Sequence, residues 1–442
     1  MRILFLTHQY FPRYSGGTET LVHGLAKRLQ IAGHEAQVLC YRESPSNVLA
    51  DHGFRRDEHD GVPLWELSGN LSCAPNPAEA EHDNPLTAAM VVRAARLIKP
   101  DVIHAAHAMK LSAAVLPALR AEGFPVVATL SDYWWVCLRH TLMIYDGTVC
   151  TSGPDHRFRC LKCAQAQHGF ALPSDPPTSE AELQMLAEQA EREPDFTDTR
   201  FRREVIALAS RNGKIRSALL SVNRIVALSD FLKLKLVEQG YPEGRIEVVH
   251  HGVETEPLEQ AREQQEAPGM PPRIVFLGTL APHKGPHILL EALRGAPNAR
   301  VKIDFYGGPG VDAAYGARLL ELAAGDERVR FCGLLPAERL GEAFLGSAAM
   351  ALPAQWYEND PLVVKAALYA RVPVAASRIG SLEQLVNDSR LGWLLPPDDV
   401  QAWASWLRQI AAQPPGRVPA DLPVPTAGSF FSQMMSVYQS LV

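Results

Sequence analysis

The sequence has no long hydrophobic run and no excess of basic residues. No apolar stretch approaches the roughly 20 residues that span a bilayer, and the run at residues 3–6 is too short for a signal-peptide core. We therefore expect a cytoplasmic protein that is at most peripheral to the inner face of a membrane. Lys and Arg number 43 against 49 Asp and Glu, a net charge of −6, so no nucleic-acid partner is expected.

Cysteine is also sparse. Seven Cys in 442 residues are too few for a disulfide framework, but four of them fall within residues 137–163. Cys160 and Cys163 have the spacing of a metal knuckle, and Cys137 and Cys150 add two thiolates from a glycine-containing loop. We predict a structural Zn²⁺ bound by these four thiolates, with an iron–sulfur cluster or free thiols as the alternatives.

The composition is that of an ordinary folded protein of two or three domains, with 47% hydrophobic and 21% charged residues. The first forty or so residues have a clear hydrophobic pattern. An apolar run at 3–6 is followed by a Pro/Gly loop at 11–17, by apolar residues at helical spacing over 21–29, and by a second apolar run at 36–41. This order of strand, glycine loop, helix and strand predicts the start of a doubly wound parallel sheet.

Further apolar runs predict two sheets. In the first half they lie at 102–104, 126–130, 224–227 and 246–250, and in the second half at 274–277, 301–306, 329–331, 350–352 and 374–376. Charged, helix-favouring sequence covers about 165–221, and the polar, Pro-containing stretch 256–272 is typical of a linker. We predict an N-terminal domain over 1–255 with Cys-rich (137–163) and helical (165–221) insertions, and a C-terminal domain over 273–424. Residues 425–442 are predicted to form a helix that crosses back to the first domain.

Motifs spread over most of the chain resemble those of the family-4 retaining glycosyltransferases. They are Gly16-Gly17, Gly33-His34, Ala227-Leu228-Ser229, His251-Gly252-Val253, Gly278-Thr279-Leu280, Lys284-Gly285 and Trp356-Tyr357-Glu358-Asn359-Asp360-Pro361. The resemblance implies an α/β fold of the GT-B type, in which two doubly wound Rossmann-like domains face a cleft. It also implies that the second domain holds a UDP- or GDP-sugar donor and that the first presents the acceptor.

Two charged residues are candidates for the donor site. Lys284 lies in the loop after the first strand of the second domain, where a cation can neutralise a diphosphate leaving group; a solvated surface lysine is the alternative. Glu358 precedes a predicted helix that starts near Asn359, Pro361 and Leu362, and a carboxylate beside the free N–H groups of a helix N-terminus can hold sugar hydroxyls and a phosphate together.

The resemblance assigns further donor contacts and shows two departures from the family pattern. Gly16 and Gly17 form the glycine loop of the first domain. Thr279 stands where the family often has an Arg that contacts phosphate. In the family a second glutamate, eight positions after the first, holds the ribose hydroxyls, and here that position is Ala366.

The acceptor side is predicted at the carboxyl end of the strand at 126–130, where doubly wound folds bind ligands. Ser131 stands where the resembling enzymes commonly have a His, and Asp132 can accept a proton from an acceptor hydroxyl or serve only as a turn residue. His107 is a weaker candidate, because a His at a strand end is more often structural.

The predicted activity is transfer of a sugar from a nucleotide-diphosphate donor to a hydroxyl of a glycan, lipid-linked or other acceptor, with retention and without a catalytic metal. Glu358, Asp132 and Lys284 are the predicted catalytic residues. The alternative is a catalytically impaired GT-B scaffold that binds a sugar nucleotide, a glycan or a partner; a sugar-nucleotide epimerase is disfavoured by the Glu358 motif.

A basic amphipathic stretch at 200–219 offers one more candidate surface. It could lie on an anionic membrane or dock a partner. The preferred interpretation is a helix that packs on its own domain.

Overall fold

A computed structural model of the chain describes residues 1–44, 50–151, 158–193, 199–264, 271–310 and 312–442. These residues form two compact units. The N-terminal unit comprises Met1–Asp146, Cys150–Val249 and Phe431–Val442, and the C-terminal unit comprises Gly147–Val149 and His250–Phe430. The main boundary therefore falls after Val249, a few residues before the predicted position 255.

Within the described residues, the N-terminal unit has an eight-stranded sheet in the order β3-β4-β2-β1-β5-β6-β7-β8. The strands are β1 (Arg2–Thr7), β2 (Glu35–Glu43), β3 (Ala50–His59), β4 (Val62–Gly69), β5 (Val102–Ala105), β6 (Val126–Leu130), β7 (Arg224–Ala227) and β8 (Ile246–Val248). All neighbours pair in parallel except β3 and β4, which are antiparallel. The sequence patterns missed β3 and β4, since β3 carries a run of charged residues rather than an apolar one.

Helices cover the sheet because their apolar stripes bury against it. They are α1 (Gly17–Ile31), α2 (Pro77–Ala80), α3 (Pro85–Ile98), α4 (Val115–Ala121), α5 (Cys160–His168), α6 (Glu180–Arg192), α7 (Thr199–Ser221) and α8 (Asp230–Glu238), with 3-10 turns at Leu71–Cys73 and Glu243–Arg245. In α1 the residues Leu21, Val22, Leu25 and Leu29 are buried, as their spacing predicts.

The basic residues of α7 bind within their own unit. Arg211 is 5% exposed and donates to the carbonyl of Trp134 at 2.6 Å, and Lys214 pairs with Glu79 and Asp83 at 2.5 and 2.7 Å. The interpretation of α7 as a helix packed on its own domain is supported, and the structure gives no support to a membrane contact through 200–219. Among the described helices, none combines the length and the hydropathy of a membrane span.

The described part of the C-terminal unit has a six-stranded parallel sheet in the order β11-β10-β9-β12-β13-β14. The strands are β9 (Arg273–Leu277), β10 (Lys302–Tyr306), β11 (Val329–Gly333), β12 (Ala349–Leu352), β13 (Val374–Ser377) and β14 (Gly392–Leu395). The helices are α9 (Glu259–Glu263), α10 (Pro286–Gly295), α11 (Ala313–Ala323), α12 (Leu340–Phe344), α13 (Leu362–Tyr369), α14 (Ser381–Leu385) and α15 (Val400–Ala412), with 3-10 turns at Glu256–Leu258, Pro282–Lys284 and Ala337–Arg339. The last helix, α16 (Ala427–Gln439), begins in this unit and belongs to the N-terminal unit from Phe431 onward. Two Rossmann-like α/β domains with parallel sheets confirm the predicted fold class.

Part of the predicted linker 256–272 is packed structure. Leu258 and Ala261 are 0% and 1% exposed and belong to the core of the C-terminal unit. Their spacing of three residues places both on one helical face, a signal that the surrounding Glu, Gln and Pro residues hide. Residues 265–270 of this stretch lie outside the described residues.

The end of the chain belongs to the N-terminal unit from Phe431 onward. Within that unit, the fully buried His104 of β5 bonds through Nδ1 to the Tyr438 hydroxyl at 2.6 Å and through Nε2 to Thr129 Oγ1 at 2.7 Å. Both ring nitrogens are thus satisfied inside the core, so a helix at the end of the sequence completes the polar interior of the first sheet.

Candidate functional site

Lys284 and Glu358, which the sequence predicts to contact the same donor, contact each other in the C-terminal unit. The Lys284 ammonium donates to Glu358 Oε1 at 2.6 Å, and the two side chains are 21% and 7% exposed. Lys284 ends the 3-10 turn that follows β9, whereas Glu358 lies between β12 and α13. The pair therefore joins two loops at the carboxyl edge of the sheet, where parallel α/β sheets bind their ligands.

Gly285 allows these two loops to approach each other closely. Its φ of +72° is left-handed, and a Cβ on it would lie 1.9 Å from the carbonyl oxygen of Pro353. A second backbone contact runs beside it, since the amide of Gln355 donates to the carbonyl of His283 at 2.7 Å. The family motif Lys284-Gly285 thus combines a cation with the residue that lets its turn contact the neighbouring loop.

Trp356 contacts both members of the ion pair. Its indole N–H donates to Glu358 Oε1 at 2.8 Å, and its ring centroid lies 4.8 Å from Lys284 Nζ. The ring of His283 packs edge-on against it with centroids 4.7 Å apart. Burial lowers the pKa of His283, an effect that the nearby Lys284 reinforces. The sequence motifs assign Trp356 no separate role.

A buried network fixes the loop that carries Glu358. Lys365, 1% exposed, pairs with Asp360 and donates to the carbonyl of His251 at 2.7 Å, while the His251 amide donates to Asp360 Oδ2 at 2.9 Å. Burial lowers the pKa of Lys365, although the Asp360 carboxylate opposes that shift. The Ser381 hydroxyl adds a hydrogen bond of 2.6 Å to the carbonyl of Glu358. Sequence reasoning missed Lys365, although a lysine within an otherwise apolar helix was an available signal.

The remaining donor candidates differ in their surroundings. Pro361 precedes the first turn of α13, and Leu362 begins that helix. Ala366 is 0% exposed and belongs to the apolar core of the unit, while Thr279 is exposed. Position 366 is therefore surrounded by core side chains, whereas Thr279 is open to solvent.

In the N-terminal unit, His107 and Asp132 form a second polar pair. His107 is 0% exposed; its Nδ1 accepts the amide of Met109 at 3.0 Å, so its Nε2 carries the proton that is donated to Asp132 Oδ2 at 3.0 Å. Asp132 Oδ1 accepts the amide of Trp134 at 2.9 Å. Burial alone would raise the pKa of Asp132, but its interactions with His107 and with the amide of Trp134 hold it below its ordinary value.

The glycine loop lies at the start of α1 in the same unit. Gly16 is the N-cap, Gly17 begins the helix, and a Cβ on Gly16 would lie 2.7 Å from Glu19 Oε2. Thr18 Oγ1 and Ser131 Oγ are 2.7 Å apart, so the glycine loop and the end of β6 are bonded to each other. Gly16, Gly17 and Ser131 are therefore neighbours around one edge of this sheet.

Two buried residues beside His107 were missed by the sequence reasoning. The ring of His8 is tilted by 47° against that of His107 with centroids 4.4 Å apart, and His8 Nε2 is 3.7 Å from Oε1 of Glu19, which is 1% exposed. Burial, together with His107, lowers the pKa of His8 to about 2, so His8 is neutral at physiological pH. The signal was available: His8 directly follows β1, as Ser131 follows β6.

The metal prediction is not supported. Among the described residues, no group of three or more His, Cys, Asp or Glu side chains is arranged to hold a metal ion, and Cys137, Cys150, Cys160 and Cys163 are free cysteines. Burial raises the pKa of the Cys160 thiol, and the neighbouring Cys137 raises it further. Cys160 packs against the small apolar cluster around Leu161 and Phe170, so it behaves as an apolar residue there.

Comparison with known families gives two matches. Residues 16–170 match the glycosyl transferase 4-like domain, and residues 258–419 match the glycosyl transferases group 1. Most of the chain is thus similar to domains of glycosyltransferases, and its C-terminal part is similar to group 1. The two matches contain the Lys284–Glu358 pair and the His107–Asp132 pair.

Curated proteins similar to this chain include two D-inositol 3-phosphate glycosyltransferases. The protein of Corynebacterium urealyticum is 30% identical over 229 residues, which cover 46% of this chain and 54% of the relative. The protein of Mycobacterium sp. strain JLS is 33% identical over 181 residues, 39% of this chain and 40% of the relative. The chain thus spans about half or less of the length of these relatives.

Solved structures support the GT-B fold. Sucrose-phosphate synthase from Thermosynechococcus elongatus has a TM-score of 0.65 at 18% identity, covering 100% of this chain and 98% of that chain. Anabaena HepE in complex with UDP and glucose has a TM-score of 0.61 at 17% identity, covering 100% of both chains.

Proposed function

We propose that the chain is a glycosyltransferase that moves a sugar from a nucleotide-diphosphate donor to an acceptor hydroxyl, with retention at the anomeric carbon and without a catalytic metal. The observation that carries this proposal is the contact of Lys284 with Glu358 at the carboxyl edge of the second sheet. The donor bond that must break joins a sugar to a diphosphate. A cation next to a carboxylate suits both groups, because the cation can bind the diphosphate and the carboxylate can bind the sugar hydroxyls.

The donor is a UDP- or GDP-sugar held by the C-terminal unit. Lys284 exchanges part of its contact with Glu358 for the diphosphate and neutralises the charge that develops as the bond from the anomeric carbon to the phosphate oxygen breaks. Glu358 accepts hydrogen bonds from sugar hydroxyls, while the backbone N–H groups of Asn359 and Leu362 donate to phosphate; Pro361, which has no N–H, leads into the first turn of α13. Gly16, Gly17 and Thr279 complete the proposed donor contacts.

The acceptor hydroxyl is bound by Asp132 and Ser131 of the N-terminal unit. Because His107 and the amide of Trp134 already bond the Asp132 carboxylate and its pKa is low, Asp132 orients the hydroxyl more readily than it stores the proton. The acceptor oxygen forms the new bond to the anomeric carbon, and its proton leaves to the departing phosphate oxygen. Glycans and lipid-linked hydroxyl compounds are the proposed acceptors, and the names of the relatives add inositol 3-phosphate as one to test.

A second candidate function is binding without turnover. The buried, apolar setting of Ala366 favours it, since a carboxylate expected from the family resemblance is replaced by a core side chain. Thr279 and Ser131 also differ from the residues common in the resembling enzymes, an Arg and a His, and so further favour binding without turnover.

One experiment separates the two functions. UDP-glucose, UDP-N-acetylglucosamine, ADP-glucose and GDP-mannose are tested by calorimetry for binding and by nucleotide release for turnover, with inositol 3-phosphate and simple sugars as acceptors and with EDTA present or absent. Transfer that survives EDTA and gives a product with the donor's anomeric configuration by NMR supports the enzyme. Binding without nucleotide release supports the impaired scaffold, and no binding of any donor contradicts both.

A further inference from the structure

We propose that Trp356 is a positioning residue of the donor site, which holds Lys284 and Glu358 as one unit. The proposal rests on the proposed function, because it concerns how the two residues are presented to a nucleotide sugar. Neither the family motif nor the comparisons assign a role to this tryptophan, and the contacts that carry the inference all lie within the C-terminal unit.

The first contact is with the carboxylate. Oε1 of Glu358 accepts the Trp356 indole N–H at 2.8 Å and the Lys284 ammonium at 2.6 Å. A carboxylate oxygen has two lone pairs, and two donors on the same oxygen fix the rotation of the carboxylate about its terminal bond. The indole N–H keeps one of these bonds when Lys284 turns toward a diphosphate, so Glu358 retains its orientation toward the sugar.

The second contact is with the cation. Lys284 Nζ lies 4.8 Å from the centroid of the indole ring, within the range of a cation–π interaction. The ring is itself held from the side by His283, whose carbonyl accepts the amide of Gln355 at 2.7 Å. The aromatic face thus limits where the flexible lysine side chain can place its charge.

These two contacts can be separated by substitution. Trp356→Phe removes the indole N–H and keeps an aromatic face for Lys284, whereas Trp356→Leu removes both. The N–H acts on the residue that binds the sugar, and the face acts on the residue that binds the diphosphate. The two variants therefore affect different parts of the donor.

The experiment measures the affinity of the full chain for a nucleoside diphosphate and for the corresponding nucleotide sugar. The ligands are either UDP and UDP-glucose or GDP and GDP-mannose, whichever pair the wild type binds more tightly. We expect Trp356→Phe to weaken the binding of the nucleotide sugar about tenfold, the size expected for loss of a hydrogen bond to a charged group. The affinity for the free nucleotide should stay unchanged. Trp356→Leu is expected to weaken both ligands. Trp403→Phe is the matched control, because it makes the same substitution at a fully buried tryptophan whose indole N–H donates to the carbonyl of Pro396 at 3.0 Å; both affinities should stay unchanged.

Coupling to Glu358 gives a readout that a merely structural role would not move. In a Glu358→Ala background, Trp356→Phe should cause no further loss of nucleotide-sugar affinity. Additive losses, or equal losses for nucleotide and nucleotide sugar in Trp356→Phe at an unchanged melting temperature, would overturn the proposal. If Trp356→Phe lowers the melting temperature, Trp356→Tyr repeats the test with a larger ring. A wild-type chain that binds no nucleotide contradicts the proposed function and this proposal together, whereas a binding wild type with an unaffected Trp356→Phe contradicts only this one.

Discussion

The ammonium of Lys284 lies 2.6 Å from Oε1 of Glu358, in a pair whose side chains are 21% and 7% exposed. The two charges therefore neutralise each other in the absence of donor. A bound diphosphate would compete with Glu358 for the lysine, so the strength of this pair sets part of the cost of donor binding.

Replacement of Lys284 tests that competition. We expect Lys284→Ala to weaken nucleoside diphosphate binding by about 1.5–3 kcal/mol, because a charge-assisted contact to phosphate is lost. Calorimetry with UDP and GDP measures it. Lys302→Ala, at an exposed lysine of β10, is the control and should leave the affinity unchanged. Equal affinities in wild type and Lys284→Ala would remove this residue from the donor site.

A carboxylate at position 366 is expected to destabilise the protein. Ala366 is 0% exposed within the apolar core, so Ala366→Glu buries a charge without a described partner and should cost roughly 2 kcal/mol or more. Thermal unfolding measures the loss, and Ala366→Leu, of similar size but uncharged, separates the charge from overpacking. Tighter donor binding at an unchanged melting temperature would instead mean that position 366 faces the donor, as the family resemblance implies.

Stability should fall as the pH drops below about 6.5. Burial lowers the pKa of His104 to about 3 and, with Lys365, that of His251 to about 3, whereas the unfolded chain protonates these rings near their ordinary value. Between the two pKa values the unfolded state binds more protons, so acid favours unfolding by up to about 1.4 kcal/mol per pH unit for each such histidine. Melting temperature against pH checks this, and His104→Gln should reduce the slope. A stability that stays level from pH 7 to 5 would contradict it.

The bond between Tyr438 and His104 is expected to stabilise the N-terminal unit. Tyr438→Phe leaves His104 Nδ1 buried without its 2.6 Å partner, which should cost about 1–3 kcal/mol. Urea unfolding measures the difference. Ser436→Ala, at an exposed serine of the same helix whose hydroxyl donates to the carbonyl of Ser432 one turn earlier, should stay close to wild type. Similar losses in the two variants would assign the effect to the helix rather than to the buried bond.

The sequence predicted most strands because parallel, buried strands are continuous apolar runs, as in β1 and β6. It missed β3 because an edge strand with charged residues has no such run. The residues Lys284 and Glu358 could be selected singly from charge and position, but their contact depends on the close approach of Gly285 to Pro353, which spacing along the chain does not encode. The same limit applies to the cysteines: the spacing of Cys160 and Cys163 along the chain does not determine how four sulfur atoms are arranged in space.

The end of the chain has a consequence for the order of events during synthesis. Phe431–Val442 supplies part of the N-terminal unit, including the hydroxyl that bonds to His104. The residues of the C-terminal unit are therefore synthesised before the N-terminal unit is complete. A fragment that stops at Val249 lacks the segment that contributes Tyr438 to the buried interior of the N-terminal unit. Nascent chains arrested before and after Phe431 should accordingly differ in protease resistance of the N-terminal unit, although the strands of its sheet have already been made.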